Sequence, residues 1–141
     1  MDALTVLNRY FGYTSFRPLQ REIIAEALAG HDTLVLMPTG GGKSLCYQVP
    51  ALMSDGVTIV VSPLISLMHD QVEALKANGI PAAALNSGND TEADVTIRRQ
   101  CANGQLKLLY MSPEKLIAEA SFLLSTISIS LFAIDEAHCI S

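Results

Sequence analysis

The chain predicts an α/β fold, a parallel sheet with helices on both faces. Short apolar runs alternate with helix-length segments over nearly all of its 141 residues, the pattern of strand–helix–strand units. The run over 33–37, Thr-Leu-Val-Leu-Met, is continuously apolar, as expected of a strand covered on both faces. The residues able to carry chemistry follow the apolar runs, where ligands bind in such sheets.

Taken in order, Val6, Leu7, Tyr10 and Phe11 share one face of a short first helix. Pro18 suits the first turn of a second helix that runs to about Leu28 and stops at Gly30. A strand over 33–37 and a helix over 43–54 follow. The pattern then repeats: strand 57–61 and helix 64–78 with Gly79 as its stop, strand 82–85 and helix 92–102, strand 106–110 and helical segments within 113–126. A last strand over 129–134 opens into Asp135.

Size and composition bound the reading to one domain or a piece of one. Half the residues are apolar, while 16% are charged, against about 25% in an average soluble domain. No apolar run approaches the roughly 20 residues a membrane helix needs. Met1-Asp2-Ala3 carries an acid where a signal peptide carries basic residues. A soluble, intracellular and non-secreted protein is expected, cytoplasmic or nuclear. Cys46, Cys101 and Cys139 form neither a disulfide framework nor a zinc pattern. They are expected to be small buried hydrophobes, with no zinc site in this chain. Asn89-Asp90-Thr91 matches a glycosylation acceptor but is discounted without a secretion signal. The net charge of −5 argues against nucleic-acid binding through the whole surface. It leaves room for local contacts from helix N-termini and hydroxyls.

Pro38-Thr39-Gly40-Gly41-Gly42-Lys43-Ser44 directly follows an apolar strand and opens a helix. The strict phosphate-loop pattern would need glycine where Met37 stands. Gly40 and Gly42 nevertheless let consecutive N–H groups turn toward phosphate oxygens, and the following helix adds its positive end. Thr39, Gly40, Gly41, Gly42, Lys43 and Ser44 are the candidate nucleotide contacts. Lys43 would neutralise the β- and γ-phosphates and Ser44 would offer its hydroxyl to Mg²⁺. A dinucleotide fingerprint fails, because Leu45 stands where it needs glycine or alanine.

Asp135 and Glu136 end the last strand. Alone they are an ordinary acidic turn. With the phosphate loop they read as the metal partner, Asp135 holding Mg²⁺ opposite Ser44, and the catalytic carboxylate, Glu136 polarising the attacking water. His138 is either a structural residue or a sensor of the γ-phosphate. Upstream, Tyr13, Phe16, Arg17 and Gln20 offer an aromatic face and an amide that can pair with adenine's N6 and N7 edge. The plainer alternative makes Phe16 core and Arg17 and Gln20 solvated helix positions. Ser62-Pro63-Leu64 and Ser112-Pro113-Glu114 read as two versions of one device, in which serine caps a helix and proline occupies its first turn. Capping alone accounts for both; the functional alternative is that both helix N-termini grip nucleic-acid phosphates. Asn86 and Ser87 would add a third contact on the same edge.

These residues together resemble the first motor domain of a RecQ-family DNA helicase of superfamily two. The resemblance covers essentially the whole chain. It is carried by Phe11-Gly12-Tyr13 with Phe16-Arg17-Pro18 and Gln20, by residues 37–48, by residues 60–72, by residues 110–116, and by Ile134-Asp135-Glu136-Ala137-His138-Cys139-Ile140-Ser141. The family's loop also lacks a leading glycine, which accounts for Met37. The resemblance implies a RecA-like P-loop NTPase sheet, here truncated after the Asp-Glu-Ala-His motif. It implies Mg²⁺-dependent ATP hydrolysis driving 3′–5′ movement on single-stranded DNA, with duplex junctions as substrates in repair and recombination. Tyr13, Arg17 and Gln20 become adenine contacts, and Ser62, Pro63, Leu64, Asn86, Ser87, Ser112 and Pro113 become DNA contacts.

The same resemblance places further parts after Ser141: a DNA-sensing aromatic loop, a Ser-Ala-Thr strand lying between the loop-bearing strand and the Asp-Glu strand, and a second motor domain with an arginine finger, needed in cis. Without them the 141-residue chain is expected to hydrolyse ATP negligibly, not to unwind DNA, and to be marginally stable. Two other classes remain in view. A small-molecule kinase or transporter ATPase is disfavoured by the Asp-Glu-Ala-His tetrad and the two Ser-Pro turns. A module that binds nucleotide or DNA without turnover fits the same residues.

Overall fold

The computed structural model describes residues 2–17, 20–29, 44–85, 91–126 and 129–134. The expected strand over 33–37 and the punctuation at Pro18 and Gly30 lie outside them. Four described strands, β1 (Val57–Val61), β2 (Ala82–Leu85), β3 (Leu108–Met111) and β4 (Ile129–Ile134), form one sheet in the order β2-β3-β1-β4. Every neighbouring pair is parallel, as continuous apolar strands joined by helices require. The helices are α1 (Ala3–Val6), which runs on as a π-helical turn over Leu7–Phe11, α2 (Gln20–Leu28), α3 (Leu45–Met53), α4 (Ile65–Ala77), α5 (Thr91–Ala102) and α6 (Pro113–Thr126).

The strand period of two divides the core between the sheet's faces. Val57, Ile59, Val61, Leu109 and Met111 pack with Cys101 of α5 and Leu123 of α6. Val60, Leu108 and Tyr110 pack on the other face with Tyr47 and Ala51 of α3 and with Met68, Val72 and Leu75 of α4. All five β1 residues are buried, so β1 is covered on both faces. A third cluster joins Val6, Leu7, Ile24 and Val49, seating the N-terminal helices on α3.

Within the described residues the expected elements appear, with three main differences. The first helix widens into a π turn after Val6 and closes at Gly12, whose φ of 78° suits glycine; Val6 and Leu7 are buried on the expected face. Strand β3 covers Leu108–Met111 rather than 106–110; Lys107 joins both neighbours just before it, its N–H donating to Pro81 O at 2.9 Å and its carbonyl accepting from Thr58 N–H. The segments expected within 113–126 are one continuous helix. Gly79 ends α4 at φ 79°, the stop the sequence predicts.

Cys46 and Cys101 are buried and outside any disulfide, as their apolar context predicts; Cys139 lies outside the described residues. Burial pushes the Cys101 thiol up to about 11 from its ordinary 9.0. Below about pH 9 both folded and unfolded chains keep the proton. Between 9 and 11 only the unfolded thiol ionises, so unfolding releases a proton and stability falls as pH rises. The loss attributable to Cys101 by pH 10.5 is expected to be roughly 2 kcal/mol. Urea midpoints at pH 8 and 10.5 should show a markedly smaller fall in Cys101→Ala. An equal fall in both proteins would trace the loss to other groups.

Candidate nucleotide and nucleic-acid site

The register brings the ends of the strands into one row. Leu85 pairs with Met111, Met111 with Val61, and Val61 with Ile134. The residues next in sequence are Asn86, Ser112, Ser62 and Asp135. Two proposed DNA segments and the start of the carboxylate motif are therefore fed by neighbouring strands that end at the same level, with a third DNA segment on β2. Asn86, Ser87, Asp135, Glu136, His138 and the loop residues Thr39, Gly40, Gly41, Gly42 and Lys43 lie outside the described residues.

The two Ser-Pro turns are not built alike, which corrects the expectation of one shared device. At the second turn Ser112 caps α6: its Oγ accepts from Lys115 N at 3.3 Å, its carbonyl accepts from Leu116 N at 2.9 Å, and Pro113 is the first helical residue. At the first turn the sheet ladder runs one residue further. Ser62 N–H donates to Met111 O at 3.0 Å, which holds Ser62 in strand geometry and delays the helix. Ser62 Oγ accepts from Leu64 N at 3.3 Å in a local turn. Leu64 is the N-cap of α4, without a side-chain cap, and Pro63 precedes it. Both serines are buried, whereas Leu64 and Ile65 are exposed. The surface at the first turn is thus apolar side chain, and both hydroxyls are engaged with local backbone.

In the segment proposed to contact adenine, Arg17 and Gln20 meet. Gln20 N donates to Arg17 O at 3.1 Å, and Arg17 N donates to Gln20 Oε1 at 2.8 Å, the return bond of a capping box at the start of α2. Gln20 is only 1% exposed, which departs from the solvated-helix alternative. Tyr13 is exposed, and its carbonyl accepts from Asn8 Nδ2 at 3.4 Å. Phe16 and Arg17 line a cleft of about 450 Å³ with Arg21 and Glu22; Tyr13 and Gln20 do not line it. Through the Ile24–Val49 cluster α2 lies against α3, which packs the proposed adenine segment against the helix that follows the candidate phosphate loop.

Ser44 opens α3 in right-handed helical geometry, φ −62° and ψ −31°, and makes no side-chain cap bond. Its carbonyl accepts from Gln48 N at 2.9 Å. An N-cap serine ordinarily has extended geometry and uses its oxygen on the helix. Ser44 does neither, which keeps its hydroxyl out of the helix it begins. Among the described residues no group of three or more His, Cys, Asp or Glu could hold a metal ion, and no helix is long and apolar enough to cross a membrane.

Two polar groups escaped the sequence reading. Behind α3, Gln48 Nε2 donates to the Tyr110 hydroxyl at 3.1 Å, Tyr47 OH donates to Gln71 Oε1 at 2.8 Å, and the Tyr47 and Tyr110 rings meet edge-on at 6.4 Å. These contacts join α3, α4 and β3. Between α5 and α6, Lys115 Nζ lies 3.0 Å from Asp94 Oδ2 and 3.9 Å from Glu119 Oε1, and Arg98 grips Glu119 with two nitrogens. Their local signal was opposite charge at a spacing of four in both helices; the pairing across helices had none.

Comparison with known proteins places these features. Residues 17–141 match the family model for the DEAD/DEAH box helicase. The chain is similar to the ATP-dependent DNA helicase RecQ of Haemophilus influenzae, 56% identical over 140 residues. It is 50% identical over 141 residues to the RecQ of Bacillus subtilis, and 46% identical over 145 residues to the ATP-dependent DNA helicase Q1 of Mus musculus. These alignments cover 99%, 99% and 96% of this chain but 23%, 24% and 22% of those proteins.

Proposed function

The chain belongs to the DEAD/DEAH box helicase family, and from that membership we propose that it forms the nucleotide-binding part of a RecQ-type ATP-dependent DNA motor. The motor couples ATP hydrolysis to 3′–5′ movement on single-stranded DNA and to the opening of duplex junctions. Its place of action is the bacterial nucleoid or the nucleus, and its partner in cis is a second motor domain. The observation that supports this reading is the row Leu85–Met111–Val61–Ile134, where four strands end at one level of one sheet: the residues next in sequence belong to the proposed DNA-contact and carboxylate motifs, and α/β proteins bind ligands at such strand ends.

The residues fit ATP and Mg²⁺. Ser44, with a hydroxyl not used for capping, would hold Mg²⁺ together with Asp135, and Lys43 would hold the phosphates with the N–H groups of Thr39, Gly40, Gly41 and Gly42. Bound with ATP, Mg²⁺ supplies charge neutralisation at the β- and γ-phosphate oxygens. Glu136 orients the attacking water and accepts its proton on the carboxylate. Tyr13, Arg17 and Gln20 orient the base. For Gln20 this involves a buried amide whose Oε1 already accepts from Arg17 N–H. The turns at Ser62-Pro63-Leu64 and Ser112-Pro113, together with Asn86 and Ser87, would contact the DNA backbone.

Titration with a fluorescent ATP analogue and with a labelled single-stranded oligonucleotide tests this. Saturable, Mg²⁺-dependent nucleotide binding and salt-sensitive oligonucleotide binding are expected. No nucleotide binding at millimolar concentration would overturn the reading for this chain.

A further inference from the structure

We propose that Lys115, held by Asp94, is a positioning residue for the DNA-contact turn Ser112-Pro113; the inference rests on the DNA-contact reading above. Lys115 is fastened at both ends. Its backbone N–H donates to Ser112 Oγ at 3.3 Å, and its ammonium donates to Asp94 Oδ2 at 3.0 Å. Asp94 lies in the first turn of α5 and Lys115 in the first turn of α6, so the bond ties the N-terminal turn of α6 to its neighbour helix. One turn deeper, Glu119 takes Arg98 with two oxygens and stands 3.9 Å from the same ammonium. Asp94 and Glu119 are both buried, where an ion pair is screened less than on the surface. The turn at Ser62-Pro63-Leu64, one strand away, has no side-chain cap on its helix. The capped turn is therefore the rigid half of the pair, and its rigidity comes from a bond made outside the sheet. A preformed helix N-terminus binds phosphate without first ordering its N–H groups.

The sign of one substitution separates positioning from bulk charge. Asp94→Asn removes a negative charge, so electrostatics alone would tighten binding to an oligonucleotide. Positioning predicts the reverse, a weakening of at least about threefold, equivalent to roughly 0.7 kcal/mol. Asp94→Glu keeps the carboxylate and the net charge and should retain affinity, so an Asp94→Glu variant as weak as Asp94→Asn overturns the proposal. The structural arm needs no DNA: amide exchange at Lys115 should rise about tenfold in Asp94→Asn and stay near the unaltered rate in Asp94→Glu. Unchanged exchange, or tighter binding by Asp94→Asn, overturns the proposal. If the unaltered chain binds no oligonucleotide, the DNA-contact reading falls, and the exchange result alone then supports or overturns the positioning role. Should Asp94→Asn fail to fold, Asp94→Glu is compared with Lys115→Arg, which keeps a cation on the same tether; both should retain affinity and protection, and loss of either in both variants overturns the proposal.

Discussion

Tyr110→Ala is expected to lower stability by about 3–5 kcal/mol, the range for emptying a buried aromatic site. Tyr110 is 0% exposed and sits in the middle of β3, which lies between β2 and β1. Its ring fills the face shared by α3 and α4, edge-on to Tyr47, and its hydroxyl accepts from Gln48 Nε2 at 3.1 Å. Alanine leaves a cavity and withdraws that acceptor from a buried amide, and the two costs act together. Against a typical domain stability of about 5–15 kcal/mol, the variant should lose most of its cooperative urea transition at room temperature. Tyr110→Phe keeps the ring and removes only the oxygen, so about 1–2 kcal/mol is expected. Urea unfolding followed by circular dichroism checks both, because a midpoint shift at constant slope reports stability alone. A Tyr110→Ala midpoint close to that of Tyr110→Phe would mean that the ring contributes little and that the hydroxyl network dominates.

Lys43→Ala is expected to cost roughly 100-fold in nucleotide affinity, about 2.7 kcal/mol. That is the scale of a charge-assisted hydrogen bond lost from a site of concentrated negative charge. The chain's net charge of −5 sharpens the effect, since little other positive charge is near in sequence to offset the phosphates. Ser44→Ala is expected to weaken binding only when Mg²⁺ is present, because the serine would act through the metal. Titrations with and without chelator separate the two. Equal affinity of Lys43→Ala and the unaltered chain would remove the phosphate-loop assignment. Equal effects of Ser44→Ala with and without Mg²⁺ would remove the metal role of Ser44.

How much was legible in the sequence depended on whether the determining interaction was local. The helix stop at Gly79 and the limits of β1, β2 and β4 were readable because apolar runs and positive-φ glycines act within a few residues. The cap at Ser112 was readable for the same reason: its partner, Lys115 N, is three residues away. The identical-looking turn at Ser62 was misread. A hydrogen bond from Ser62 N to Met111 O, made across the sheet, decides where α4 begins. Local sequence does not distinguish a base contact from a solvated position at Gln20, because only packing shows that it is buried and bonded to Arg17.

The sequence by itself determined the alternation of strands and helices, the motifs that follow the strands, and through them the family, since each depends on residue types at short spacing. Tertiary structure alone decided which strands are neighbours, the row Leu85–Met111–Val61–Ile134 that aligns their ends, and the ties from Gln48 to Tyr110 and from Asp94 to Lys115. The physical reason is that parallel register and buried polar pairing are contacts between segments far apart in the chain. Their energies depend on distance in space, which residue spacing does not encode.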